Sequence, residues 1–165
     1  MTETQILFIT TGGTIDKIYH DARSDYEIGD PQVIELLTEA NVTFDYQVLP
    51  LFRKDSLDIT DEDRAVILDA VLRSDAERII ITHGTDTMVR TAALLEDVPG
   101  KVIVLTGSLA PARFKMSDAE FNLGMAVAAV QSLEPGVYVT MNGRVFEAGS
   151  VVKNPDENIF EDADE

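Results

Sequence analysis

A chain of 165 residues with 45% hydrophobic content is long enough to form one domain around its own core. Its formal charge of −17 excludes nucleic acid as a partner, because phosphate contact needs a basic face. With no cysteine and two histidines, a disulfide framework and a thiolate metal site are excluded, and neither metal nor cofactor is expected.

No apolar run approaches the ~18 residues that a bilayer span requires, and no basic start leads into an apolar stretch of the signal-peptide kind. The expectation is a cytoplasmic protein with no membrane partner. Residues 5–10 predict the first strand, whose Ile6-Leu7-Phe8-Ile9 run reads as buried and parallel. It feeds Thr10-Thr11-Gly12-Gly13-Thr14-Ile15-Asp16, a turn in which two glycines permit tight backbone and three threonines expose hydroxyls. Residues 16–29 mix charges with Tyr19 and Tyr26 and show no period, which suits either a β-hairpin or a lid. Asp30-Pro31 opens a helix to about Ala40, with Val33, Leu36, Leu37 and Ala40 on one face. A strand follows over residues 42–49, then a loop over 51–59, and Thr60-x-x-Asp63 caps a helix to Ser74.

The apolar run Ile79-Ile80-Ile81 predicts a third buried strand, followed by Thr82-His83-Gly84-Thr85-Asp86-Thr87-Met88 and a helix to about Glu96. These polar residues stand at the carboxyl end of a strand and the amino end of a helix, where open α/β sheets bind ligands. Gly84 allows close approach of backbone, and Thr85 and Asp86 offer a hydroxyl and a carboxylate; capping the helix is the competing role for Asp86. Residues 101–106 form a fourth strand and 109–116 a loop, and Ser117-x-x-Glu120 reads as a capping box for a helix to Leu133. Leu123, Ala126, Val127 and Val130 make its buried face, and Asn122 suits a structural hydrogen bond at the sheet edge. Residues 136–141 are a fifth strand, Asn142-Gly143 signals a hairpin into 144–146, and 151–153 close the ordered chain. The sequence order predicts an α/β fold: a doubly wound, mostly parallel sheet with helices on both faces, Rossmann- or flavodoxin-like in three layers, plus a terminal β-hairpin.

Thr11-Gly12-Gly13-Thr14-Ile15 and His83-Gly84-Thr85-Asp86-Thr87 resemble, in order and separation, the paired signatures of the bacterial-type L-asparaginase/glutaminase family. The resemblance covers nearly the whole chain, as that family's amino-terminal domain alone. It implies a single asparaginase-like domain over residues 1–153, an acidic tail over 154–165 and no carboxy-terminal domain.

Hydrolysis of an amide needs a nucleophile, a proton acceptor and donors for the oxyanion. A threonine hydroxyl needs an activating partner. Thr14 beside Tyr26 is one pairing; Thr85 with Asp86 and Lys153 is another, since a desolvated lysine can lose its charge and serve as a base. A solvated lysine at the domain's end is the competing role for Lys153. By resemblance, Thr14 is the nucleophile of an asparaginase-like amidohydrolase that releases ammonia through an aspartyl-enzyme. Thr85, Asp86 and Lys153 form the activating triad, and the roles of the two threonines stay open at this point. The stretch 24–29 resembles the family's flexible loop, which implies a place near the nucleophile for Tyr26, with Tyr19 competing. Ser56 falls on a substrate-contacting serine, suited to an α-carboxylate, and Asp86 suits an α-ammonium. Backbone amides near Thr14 and Thr85 serve as the oxyanion hole, and Gly13 and Gly84 join Ser56 and Asp86 as substrate-binding residues. Leu57 departs from the pattern, where the family usually has a polar residue, which bears on amino-acid specificity. The expected partner is a small-molecule amide or amino acid, and the expected assembly a homodimer. The alternatives are a non-catalytic amino-acid-binding module and a subunit of a hetero-complex.

Overall fold

All seven residues of strand β1 (Ile6–Gly12) are buried, because helices cover the sheet on both sides and leave no face for polar alternation. The computed structural model describes residues 5–164. The remaining strands are β2 (Lys17–His20), β3 (Asp25–Ile28), β4 (Tyr46–Lys54), β5 (Arg78–Thr82), β6 (Val102–Thr106), β7 (Gly136–Met141), β8 (Arg144–Glu147), β9 (Val151–Asn154) and β10 (Ile159–Asp162). The helices are α1 (Val33–Glu39), α2 (Asp61–Arg73), α3 (Met88–Leu94) and α4 (Ala119–Ser132).

The main sheet has six strands in the order β4-β1-β5-β6-β7-β8. The first five are parallel and β8 is antiparallel to β7. Taken in chain order, the parallel strands therefore run second, first, third, fourth, fifth, the flavodoxin-like arrangement whose switch point lies between β1 and β5. Successive side chains point to opposite faces. Ile6, Phe8, Ile80 and Val104 pack with Val33 and Leu37 of α1 and with Leu123, Ala126 and Val130 of α4. Leu7, Ile9, Ile79 and Ile81 pack on the other side with Ile67 and Val71 of α2 and Met88 and Ala92 of α3. Each such side chain, taken fully out of water, contributes roughly 1.5–3 kcal/mol before entropy is counted. Among the described residues, no helix is long and apolar enough to cross a membrane.

Several local expectations are met. Thr60 Oγ1 accepts the Asp63 amide at 3.1 Å while the Asp63 carboxylate accepts the Thr60 amide at 3.0 Å, completing the capping box of α2. Asn142 (φ 54°) and Gly143 (φ 72°) both take the left-handed conformation that a two-residue β7–β8 hairpin requires. Residues 17–28 form the β2–β3 hairpin.

Others differ for physical reasons. β4 starts at Tyr46 and runs on to Lys54, past Pro50, because it is an edge strand whose outer side needs no amide. α1 begins at Val33 rather than at the proline, since the Gln32 amide is bound by the Asp16 carboxylate at 2.9 Å. The Ser117–Glu120 capping box does not form: Asp118 is the N-cap, its carboxylate accepts the Leu109 and Ala110 amides, and Ser117 Oγ accepts the Ala119 amide instead. Val127 is only half-buried on α4. The chain is ordered past Lys153. β10 pairs antiparallel with β9, and Phe160 enters the core at 2% exposure. Residues 1–4 and Glu165 lie outside the described residues.

Candidate functional site

Strands β1 and β5 are neighbours in register, Thr10 beside Thr82, so their two Gly/Thr turns leave the sheet side by side at the switch point. Thr11 Oγ1 donates to Thr82 O at 2.9 Å, joining the two exits. Beyond this point the turns touch. A Cβ on Gly13 would lie 2.6 Å from Gly84 N, and one on Gly84 would lie 2.6 Å from Ser56 Cβ. Only glycine permits backbone to approach backbone this closely, and Gly13 also takes φ 84°, a left-handed value. The Gly13 amide donates to Lys54 O at 2.9 Å, which ties the first turn to the end of β4. Thr14 then opens a 3₁₀ turn over Thr14–Asp16 and is half-buried.

The second turn gathers three polar side chains. Lys153 Nζ donates to Thr85 Oγ1 at 2.8 Å and to Asp86 Oδ1 at 2.7 Å. The Lys153 side chain is 12% exposed and that of Asp86 46%, so the ammonium is nearly desolvated while its carboxylate partner faces outward. Thr85 is buried. Asp86 turns its carboxylate to the lysine and not to α3, whose first turn has no side-chain cap. Thr87 Oγ1 donates to Ser56 O at 2.7 Å, holding the turn after β4 against the turn after β5. Ser56 is buried, whereas Leu57, whose amide donates to the Asp55 carboxylate, is 72% exposed.

The sequence-predicted residues thus fall into two connected groups. Gly13, the backbone leading to Thr14, Gly84 and Ser56 meet through close backbone approach; Thr85, Asp86 and Lys153 meet through hydrogen bonds. Tyr26 stands on the β2–β3 hairpin, edge-on to Tyr19 at 5.3 Å and to Phe114 at 5.6 Å between ring centroids. Among the described residues no hydrogen bond joins Tyr26 to Thr14.

Two residues with supporting parts were not singled out from the sequence. His83 is fully buried, its Nδ1 donates to Gly84 O at 2.7 Å, and its Nε2 accepts from Thr91 Oγ1 at 2.8 Å. Burial pushes its pKa down to about 4, aided by the Arg64 charge and opposed by the bond to the Gly84 carbonyl. A neutral ring held from both sides fixes the Gly84 carbonyl and with it the peptide plane that leads to Thr85. Asp16 is also buried. Desolvation raises its pKa to about 7, against the lowering effects of the Gln32 amide and Arg53. The only signal for either was a polar residue at the edge of an apolar run; the partners come from tertiary structure.

A hydroxyl-bearing turn against a second turn, with a mostly buried lysine contacting a threonine hydroxyl, holds groups of the kinds that acyl transfer to a hydroxyl uses. Among the described residues no group of three His, Asp or Glu side chains is placed to hold a metal.

Comparison with known proteins agrees with this geometry. A family model described as "Asparaginase, N-terminal" matches residues 5–160. The glutaminase-asparaginase of Acinetobacter glutaminasificans is 31% identical over 162 residues, covering 90% of this chain and 49% of that protein. A glutamyl-tRNA(Gln) amidotransferase subunit of Methanococcus vannielii is 33% identical over 156 residues, covering 85% of this chain and 34% of that protein. The thermostable L-asparaginase from Thermococcus kodakarensis superposes with a TM-score of 0.83 at 28% identity, over 96% of this chain and 51% of that one. The chain spans about half the length of the curated relatives it matches or less.

Proposed function

Because the chain belongs to the asparaginase family and corresponds to that family's amino-terminal domain, we propose that it is an amidohydrolase releasing ammonia from L-asparagine or a related small amide. The observation that carries the reading is the contact of Lys153 Nζ with both Thr85 Oγ1 and Asp86 Oδ1, made by residues 67 and 68 positions apart in the chain. A core does not require such a cluster. Burying most of an ammonium group costs free energy that a hydrophobic residue would avoid, so its placement favours chemistry.

Thr14 attacks the side-chain carbonyl of the substrate, and backbone amides near Thr14 and Thr85 receive the developing oxyanion. Ammonia leaves, an aspartyl ester forms on Thr14, and water hydrolyses it. Lys153, hydrogen-bonded to the Thr85 hydroxyl and to the Asp86 carboxylate, positions and polarises that hydroxyl for proton transfer. Ser56 receives the α-carboxylate and Asp86 its α-ammonium. Tyr26, on the β2–β3 hairpin, is the tyrosine assigned to act beside Thr14. A cytoplasmic homodimer bound only to its small substrate, with no cofactor, completes the reading.

Ammonia release from L-asparagine, L-glutamine and their D-isomers tests it. Lys153→Ala and Thr14→Ala should each lower kcat on the order of a hundredfold or more; turnover unchanged in both refutes the assignment. A second reading has its own support, since three of the similar proteins are named as subunits of a glutamyl-tRNA(Gln) amidotransferase. An isolated chain that releases no ammonia, yet melts at a higher temperature with aspartate or co-purifies with a second polypeptide, favours a binding module or a hetero-complex subunit.

A further inference from the structure

The β2–β3 hairpin is a separate two-stranded sheet, and a ribbon of two strands is marginal on its own in water. Its order depends on its neck and on what its rings touch. The neck is built on one residue. Asp16 O accepts the Gly29 amide at 2.8 Å, the Asp16 amide donates to Gly13 O at 3.2 Å, and Asp16 Oδ1 accepts the Gln32 amide at 2.9 Å. The two ends of the hairpin are therefore joined at Asp16, two positions after Thr14.

A second segment is fastened to the same knot. Arg113 Nε donates to Gln32 Oε1 at 3.0 Å, and the Ala112 amide donates to Ile15 O at 3.1 Å. The next residue, Phe114, packs edge-on against Tyr26 of the hairpin. The Thr14 turn, the start of α1 and the loop after β6 are thus held by bonds that meet at Asp16 and Gln32. Gln32 is itself buried, and its amide has its partner on a residue 16 positions back.

We infer that Asp16 is a positioning residue for the reaction: by accepting the Gln32 amide, its carboxyl group ties the start of α1 to the neck of the β2–β3 hairpin and so steadies the turn that carries Thr14. This rests on the reading of Thr14 as nucleophile. The group keeps its place although burial opposes its ionisation, and an apolar residue could not replace the acceptor without orphaning a buried amide. Arg53, ion-paired with Asp30 at the other side of the neck, is the cation whose charge acts on Asp16.

Hydrogen exchange and steady-state kinetics on the full chain test the inference. Asp16→Ala should raise exchange at the Gln32 amide and across the hairpin by about tenfold or more, leaving peptides of β5–β7 unchanged. It should lower kcat on the order of a hundredfold, with KM moving less than about threefold, because the attacking group is displaced while Ser56 and Asp86 stay in place. Asp16→Asn keeps an oxygen acceptor and should restore both. If Asp16→Ala leaves the neck protected, or if asparagine fails to rescue kcat and protection, the inference is overturned. Should Asp16→Ala fail to fold, Gln32→Pro decides: it deletes the donor at φ −81°, which proline accepts, together with the side-chain bonds to Arg113 and Asp30, and should raise exchange across the hairpin. A wild-type chain that releases no ammonia would defeat the amidohydrolase reading alone, and the exchange data would still decide whether the neck is closed by Asp16.

Discussion

Substituting Gly13 by alanine isolates the contact between the two turns. The added Cβ would sit 2.6 Å from Gly84 N, 2.7 Å from Gly84 Cα and 3.1 Å from His83 C, all backbone atoms that cannot swing aside. Ordinary heavy-atom contact needs about 3.5–4.0 Å, so the turns must separate by about an ångström. Gly13 also holds φ 84° with ψ −179°, a region nearly closed to side chains that costs about 1–3 kcal/mol. Overpacking adds about 1–3 kcal/mol. The sum, about 2–6 kcal/mol, is a large part of the roughly 5–15 kcal/mol that stabilises a domain. A displacement of this size between a nucleophile and its partners is expected to reduce kcat about a hundredfold. Urea unfolding with the slope held common to both proteins gives the first quantity, and an ammonia assay the second. Gly13→Ala losing less than about 1 kcal/mol and keeping wild-type turnover would refute the claim that the turns are in contact.

Phe160→Ala should cost about 3–5 kcal/mol by leaving a cavity at a core position, and should lower turnover as well, because β10 supports the strand that carries Lys153; denaturant unfolding and ammonia release measure both. Asp16 has a folded pKa near 7 against an ordinary 3.8, so the protonated form favours folding and that contribution is complete below about pH 4 and lost as pH rises through 7. Asp16→Asn should therefore gain stability relative to wild type between pH 4 and 8, levelling off above 7, as read from unfolding midpoints across that range. His83, lowered to about 4, should remain neutral at pH 5 in an NMR titration of its ring protons; its contribution is present above pH 6.5 and lost as pH falls toward 4.

What could be read from the chain alone followed the strength of local patterns. The runs Ile6-Leu7-Phe8-Ile9 and Ile79-Ile80-Ile81 announced central strands because a sheet covered on both faces needs unbroken hydrophobicity. Thr60 and Asp63 announced a helix start because both halves of that cap lie within four residues. Ser117 and Glu120 carried the same signature and failed, since the amides that claim Asp118 belong to residues 109 and 110. The β10 strand was hidden by its acids: Phe160 is the only strongly apolar inward residue among Ile159, Glu161 and Asp162, and its amide is bound by Asn142 on another hairpin. The threonine motifs stood out by residue type and position after buried strands, and Ser56 and Lys153 were named through the resemblance to the asparaginase family. The parts of His83 and Asp16 could not, because Thr91, Gly84 and Gln32 become their partners only when the chain is folded.

Strands β9 and β10 form a ribbon outside the six-stranded sheet, anchored in the core by Val151 and Phe160. Among the described residues, no ladder of backbone bonds ties this ribbon to the sheet that carries the two Gly/Thr turns. The lysine and the turns it contacts therefore stand on different sheets, joined by the packing of Val151 and Phe160 in the shared core and by the Lys153 hydrogen bonds. Heating is expected to loosen this ribbon and its Lys153 contact before the sheet melts, which ammonia release and far-ultraviolet circular dichroism followed on one temperature ramp would separate.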